Sequence, residues 1–357
     1  MILHFPLRKD TYVTDKVIMN KTRAKDSNVG RASTLDLYKL YEESVMKSES
    51  SPIVERSHLL LDVDLSTLQQ DLEKYVDTND SSLKVSLLLR DIQGTQVAPQ
   101  NYSVDLVQLE QPWDEGDGQD IGSFGDIRAA SWNNATTGTE WATPGGIPVG
   151  ATVVGSQTFT NGDEDLQIDI TSWVRSVWAG TETNYGLGVK LSDANDVDTY
   201  SYFVKRFSSR HTRNPYQKPM IICTWEDFHN DDRLQFEIGS PNKLSIRHFI
   251  KGIPAIASGL TCTLSYGSWS LEAANIQPVS IGSIDQIGWY EATFRSVEIY
   301  GADSDLQADL LASGELTLTE TWLSDGEALH TQEVTLKRNL VSSTAKARDY
   351  RISLMEM

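Results

Sequence analysis

Short runs in which apolar and polar residues alternate recur along most of the chain. In Thr34-Leu35-Asp36-Leu37 every second residue is apolar, and His58-Leu59-Leu60-Leu61 opens an apolar run that ends in alternation at Asp62-Val63-Asp64-Leu65. A period of two is typical of a strand with one buried face, and a short apolar run is typical of a core strand. The patterns predict strands at residues 11–17, 33–41, 58–65, 83–90, 102–109, 185–192, 200–206 and 219–225.

Two segments have helical signals instead. Ser66 is a suitable N-cap for a helix over residues 67–75, in which Leu68 and Leu72 share one face. A second short helix is predicted over residues 173–179, with Thr171 or Ser172 as its N-cap and Gly180 at its end. Helices are therefore a minor part of the predicted structure.

A polar stretch from Glu226 to Asp232 marks a change in composition. Beyond it, alternating runs recur at residues 234–238, 243–249, 262–266, 288–297, 314–322 and 330–337. Their even spacing, with Gly, Pro and Asp between them, is typical of an immunoglobulin-like or related sandwich. We therefore predict an all-β protein with two domains, residues 1–225 and 226–357.

One long loop, residues 112–150, is rich in Gly, Asn, Asp, Thr and Trp. A segment of this length without regular structure is usually disordered or functional, but Trp113, Trp132 and Trp141 give it material to pack on a sheet. The same three aromatic rings are also candidates for a platform on which sugar rings stack. Packing and glycan binding both remain open for them.

The same loop concentrates four acidic residues, Asp114, Glu115, Asp117 and Asp120. Calcium takes several oxygen ligands from flexible loops, so a structural calcium site is one interpretation. The spacing differs from that of an EF-hand, and a solvated acidic turn is the alternative.

Several motifs of the first domain resemble, in order, those of the DNRLRE family of jelly-roll domains. The motifs are Asp10-Thr11-Tyr12-Val13, Ser27-Asn28-Val29-Gly30, residues 55–66, Trp113-Asp114-Glu115-Gly116, Trp141-Ala142-Thr143-Pro144-Gly145-Gly146, Asp169-Ile170-Thr171, Asn184-Tyr185-Gly186 and Phe207-Ser208-Ser209-Arg210. Such domains are related to some carbohydrate-binding modules and occur on secreted and surface proteins. The resemblance implies a jelly-roll β-sandwich over residues 1–225. The chain departs from the family pattern at His211, where an acidic residue usually follows the arginine.

The second domain resembles a sandwich that follows such jelly rolls in structural proteins of tailed bacteriophages. The resemblance rests on residues 288–294, 321–326 and 330–332. It implies a virion structural protein at the neck, collar, tail or fibre attachment. Such a protein is made in the host cytoplasm and exposed on the released particle, with itself and other virion proteins as partners. A carbohydrate-binding module for surface polysaccharide and a polysaccharide-depolymerising tail component are the alternatives.

The net charge and the motifs of the chain argue against several kinds of partner and of catalytic or metal site. The formal net charge of −19 argues against nucleic acid and against an anionic membrane surface as partners. No apolar run approaches the roughly 20 residues of a membrane span. His and Cys show no zinc-like spacing, and neither a nucleophile elbow nor a phosphate-binding glycine loop occurs. We therefore expect a non-enzymatic protein that has no cofactor other than a possible structural calcium ion. We also expect Cys223 and Cys262 to be buried free thiols.

Both ends of the chain carry apolar positions that suit strand pairing. Leu3 and Phe5 lie near the start, and Ile352 and Leu354 lie near the end. Such segments can add a strand to the sheet edge of a neighbouring molecule. The alternative is that they form the ordinary first and last strands of their own domains.

Overall fold

The computed structural model describes residues 1–18, 22–42, 53–92, 98–124, 129–237, 240–295 and 304–337. Strands make up 46% of it and helices 10%, which confirms the predicted all-β sandwich class. The chain divides into two compact units. The first comprises Met1–Lys74 and Thr78–Trp225, and the second comprises Tyr75–Asp77 and Glu226–Met357.

The first unit is built mainly of antiparallel strands. They are β1 (Ile2–Pro6), β2 (Lys9–Thr14), β3 (Thr34–Tyr41), β4 (Val54–Asp62), β5 (Lys84–Leu89), β6 (Tyr102–Gln108), β7 (Asn134–Thr136), β8 (Thr139–Glu140), β9 (Val153–Phe159), β10 (Leu166–Asp169), β11 (Leu187–Leu191), β12 (Tyr202–Ser208) and β13 (Met220–Thr224). The helices are α1 (Leu65–Leu72), α2 (Thr171–Trp178), α3 (Asp193–Val197) and a 3-10 turn at Pro215–Gln217.

These strands form two main sheets. One has four strands in the order β1-β13-β5-β10, and the other has seven, in the order β12-β3-β4-β11-β6-β9 with β2 also paired to β4. Strands β7 and β8 form a separate small ribbon. The sheets thus join segments that are far apart in sequence, since β1 pairs with β13.

The centre of the seven-stranded sheet is buried on both faces. Leu59, Leu60 and Leu61 of β4 are all within 2% of full burial, although side chains alternate between faces along a strand. Leu60 belongs to an apolar cluster with the three tryptophans of the loop at residues 112–150. Gly188, opposite Leu60, allows this approach, because a Cβ there would lie 2.6 Å from Ile147 Cδ1. The loop therefore forms a packed layer on this sheet.

The second unit is also built of paired strands, but it has fewer of them than the first. Its elements are β14 (Phe236–Glu237), β15 (Asn242–Arg247), β16 (Phe249–Ile250), β17 (Ile253–Pro254), β18 (Leu260–Tyr266), β19 (Trp269–Glu272), β20 (Asn275–Ile281), β21 (Ile284–Phe294), α4 (Ser304–Ser313), β22 (Glu315–Ser324) and β23 (Glu327–Lys337). The sheets run β14-β23-β22-β18-β19 and β15-β21-β20, and β16 pairs with β17 in a separate hairpin.

One apolar cluster joins the two larger sheets of the second unit. Leu244 and Phe294 enter it from the three-stranded sheet, and Leu264 and Trp322 enter it from the five-stranded sheet. All four are completely buried. The second unit is therefore also a sandwich with its own core.

Candidate functional site

Four ionisable side chains from three distant segments meet in the first unit. Asp10 lies on β2, Glu115 on the tryptophan-rich loop, and Arg210 and His211 on the segment that follows β12. We call these four residues the ion cluster. Hydrogen bonds within the ion cluster join residues that are 95 and 200 positions apart in the sequence.

Glu115 is held from two sides in the ion cluster. The Arg210 guanidinium binds both carboxylate oxygens, with Nε donating to Oε1 at 2.6 Å and Nη2 donating to Oε2. The backbone N–H of Asp10 also donates to Oε1, at 2.9 Å. Such a bidentate, charge-assisted contact fixes the orientation of a carboxylate as well as its position.

Asp10 and His211 each have a buried polar atom without a hydrogen-bond partner among the described residues. The Asp10 residue is 1% exposed, and its Oδ2 accepts the backbone N–H of Arg210 at 2.6 Å. Within the described ranges, Asp10 Oδ1 and His211 Nε2 are buried without a hydrogen-bond partner. His211 Nε2 lies 3.6 Å from Glu115 Oε1. Buried polar atoms without a partner are uncommon and indicate a missing ligand, water or proton.

Burial and neighbouring charges shift the pKa values of Asp10 and His211 in the ion cluster. Burial raises the pKa of Asp10 to about 7, against the lowering effect of the Arg210 backbone N–H, and the nearby Glu115 carboxylate raises it further. Burial and the adjacent Arg210 lower the pKa of His211, so the imidazole stays neutral at neutral pH. The site thus combines two carboxylates with one guanidinium.

Three members of the ion cluster have the chemistry of metal ligands. Asp10, Glu115 and His211 each present one ligand atom, and these atoms lie within 4.8 Å of one another. Among the described residues this is the only such group of three or more. Glu115 was a candidate from sequence, whereas Asp10 and His211 were not.

The structure does not gather the four acidic residues that suggested calcium. Glu115 turns inward to Arg210, while Asp114, Asp117 and Asp120 are exposed. Asp117 pairs with Arg31 at 2.7 Å, and Asp120 accepts the backbone N–H groups of Gly122 and Ser123. The predicted calcium site in this loop is therefore replaced by an acidic turn and by the inward-facing Glu115.

The three tryptophans are core residues. Trp113, Trp132 and Trp141 are 2%, 7% and 6% exposed, and the indole N–H groups of Trp113 and Trp141 donate to backbone carbonyls. A sugar platform needs an exposed ring face, so these side chains do not form one. Of the two roles that the sequence left open for them, the structure places them in packing.

The apolar positions at the start of the chain lie in a strand of their own unit. Leu3 and Phe5 belong to β1, where they pair with Cys223 and Ile221 of β13 and are half-buried. This is the ordinary first strand that was the alternative to docking on a neighbour. Ile352 and Leu354 lie outside the described residues.

A polar cleft of about 420 Å³ opens on the three-stranded sheet of the second unit. Glu291 of β21 is one of its lining residues, and the neighbours of Glu291 along the strand, Tyr290 and Ala292, enter the core. Glu291 therefore points to the outer face of the sheet, yet it is only 5% exposed. The cleft is lined by His229, Lys243, Gln277, Pro278, Val279, Ser280, Asp285 and Glu291.

The buried carboxylate of the cleft is surrounded by donors. Lys243 Nζ lies 3.0 Å from Glu291 Oε1, and His229 Nδ1 lies 3.6 Å from Oε2. The Gln277 amide donates to Oε1 at 3.4 Å. Several polar groups thus converge in a concave site, which is the usual form of a small-ligand site. The sequence did not indicate it, because its residues come from separate strands.

The second unit also exposes an apolar hairpin. Strands β16 and β17 pair Phe249 with Pro254 and Ile250 with Ile253 around a Lys251-Gly252 turn. Ile256 and Ile287 lie beside its base, where the backbone N–H of His248 donates to Gly288 O. Phe249, Ile250, Ile253, Ile256 and Ile287 are between 49% and 79% exposed. We call these five side chains the apolar hairpin surface.

Comparison with known proteins adds no relative, since no family model and no curated protein matches the chain. Across the described ranges, no helix is long and apolar enough to span a membrane.

Proposed function

We propose that the chain is a structural component of a tailed-phage virion, at the neck, collar, tail or fibre attachment, and that it acts by assembly and surface display. The observation that carries this proposal is the apolar hairpin surface of the second unit. Exposed single apolar residues are ordinary, whereas several large ones gathered on and beside one short hairpin favour a protein interface.

The geometry of the hairpin strengthens the argument for a partner. An isolated two-stranded hairpin is marginally stable in water. Both faces of this one are apolar and exposed, because Phe249 and Ile250 alternate along β16 and are each about half exposed. A neighbouring subunit or another virion protein would cover these side chains and fix the hairpin.

The ion cluster supports the jelly-roll interpretation of the first unit. Asp10, Glu115 and Arg210 come from three of the motifs on which the resemblance rests, and they are in direct contact with one another. His211, the departure from the family pattern, lies at the same place. Motif residues that converge in space are better support than motif residues that only occur in order.

The test is incorporation into particles together with a charge substitution in the hairpin. Ile253→Asp is expected to abolish oligomer formation and incorporation, because it buries a carboxylate in an apolar interface. Val149→Asp is the matched control, since Val149 is also an exposed apolar residue, in the first unit. Light scattering measures oligomer formation, and mass spectrometry of purified particles measures incorporation. Equal incorporation of both variants would contradict assembly through the hairpin.

The cleft favours a second candidate function, the binding of a surface polysaccharide. Its buried Glu291, with Lys243 and Gln277, offers the mixed donors and acceptors that sugar hydroxyls need. Retention of the wild-type chain on a glycan array, lost in Glu291→Gln, would support this function. Cleavage of the retained glycan would point instead to the depolymerising alternative.

A further inference from the structure

We propose that Asp10, Glu115 and His211 bind one divalent transition-metal ion, with zinc the best match. This site is separate from the assembly function proposed above, because it uses none of the residues of the apolar hairpin surface.

The first argument is the supply of free ligand atoms. A carboxylate has about four lone-pair positions. Three donors occupy Glu115, namely the backbone N–H of Asp10 and two N–H groups of Arg210, which leaves one position for an ion. Asp10 Oδ1 and His211 Nε2 have no partner within the described ranges, so both are free to coordinate.

The second argument is charge. Asp10 is 1% exposed and accepts only the backbone N–H of Arg210, while the Arg210 guanidinium binds Glu115, so two carboxylates lie beside one cation. A buried charge is stable only when it is paired. A divalent cation would supply the missing positive charge at the point where the unpartnered atoms lie.

The third argument is distance. Two ligands of one tetrahedral zinc ion at bond lengths near 2 Å are about 3.3 Å apart. One ligand atom from each of the three side chains lies within 4.8 Å of the other two. Side-chain adjustments of at most about 1.5 Å bring these atoms to the separation that a tetrahedral zinc ion requires.

The donor set selects the metal. Calcium and magnesium prefer oxygen ligands, whereas an imidazole nitrogen with carboxylates suits zinc and its first-row neighbours. Arg210 is a positioning residue in this arrangement, because its bidentate contact aims Glu115 without touching the ion. His211 is the residue that would separate this site from a calcium site.

Isothermal titration of the full chain, first dialysed against a chelator, tests the proposal with zinc chloride and with calcium chloride. We expect one saturable zinc site per chain and no saturable calcium binding. His211→Gln keeps a polar side chain of similar size, and it should weaken zinc binding at least about tenfold. Asp10→Asn is the second ligand variant, and circular dichroism checks that each variant is folded.

Two controls separate this site from adventitious binding. His4→Gln removes an exposed histidine of β1, and Asp117→Asn removes an exposed carboxylate of the same loop as Glu115. Both should bind zinc as the wild type does. The absence of saturable zinc binding in the wild type, or equal affinity in a folded His211→Gln, would overturn the proposal.

Discussion

At the scale of single residues, His58 is a partly buried histidine on β4. Its Nδ1 lies 2.8 Å from Gly145 O, and its ring centroid lies 5.1 Å from that of Trp132. Burial lowers the pKa of His58 to about 4, although the contact with Gly145 acts in the opposite direction. The folded protein therefore holds this imidazole neutral under mildly acidic conditions.

This depressed pKa predicts a loss of stability in acid. Between pH 6.5 and pH 4 the unfolded chain binds a proton at His58 that the folded chain does not, so the free energy of unfolding falls as the pH falls. The loss reaches about 3 kcal/mol near pH 4. Urea denaturation at pH 7 and pH 4.5 measures it. His58→Gln should flatten this dependence, and His4→Gln should not; an unchanged slope in His58→Gln would contradict it.

The buried tryptophans give a second prediction at this scale. Trp132→Ala removes a ring that packs beside His58 in an apolar cluster, and it should lower the free energy of unfolding by about 3–5 kcal/mol. Trp178→Ala, on the half-buried side of α2, should cost less. Denaturant titration of the two variants measures the difference. A Trp132→Ala protein of wild-type stability would be inconsistent with a packing role.

The residues show why part of the site was predictable and part was not. Glu115 was a ligand candidate because it stands among acidic neighbours in one loop. Asp10 and His211 had no local signal, since they meet Glu115 only through tertiary folding. The one hint was His211 itself, which replaces the acidic residue that the family pattern leads us to expect.

At the scale of elements, strong periodicity translated into structure and weak periodicity did not. The run at residues 58–65 lies in β4 and the start of α1. Strand β9 was missed because this edge strand, in which only Phe159 is buried, has little apolar alternation. α1 begins earlier than predicted, because the Asp64 carboxylate rather than Ser66 accepts the N–H of Thr67. Helix α4 was also missed, although Leu306 and Leu310 are buried four residues apart.

The base of the apolar hairpin gives a prediction for an element. Gly288 has a φ of 71°, and a Cβ there would lie 2.6 Å from His248 O. Gly326 has a φ of 88° with open space around the same position. Both alanine variants bear a left-handed strain of about 1–2 kcal/mol, but only Gly288→Ala also displaces the hairpin.

Thermal unfolding and light scattering of the two variants compare these effects. Gly288→Ala should be the less stable of the two and should assemble poorly, while Gly326→Ala should assemble normally. If the two variants behave alike, the close contact of Gly288 with the hairpin is not what holds it.

At the scale of the whole molecule, two separate cores carry different surfaces. The first unit has a seven-stranded sheet covered by the tryptophan-rich loop, and the second has the polar cleft and the apolar hairpin surface. The polar run that begins at Glu226 coincides with the start of the main part of the second unit. The division into two units could be predicted from the sequence because each core needs its own apolar strands. The surfaces for partners could not, because they leave no periodic signal in the sequence.

The most direct measurement for the proposed function is high-resolution imaging of purified particles that carry the chain. The account predicts copies arranged around the particle axis, with Phe249 and Ile253 of each copy buried against a neighbour. Particles that lack the chain, or copies whose hairpins face solvent, would contradict it.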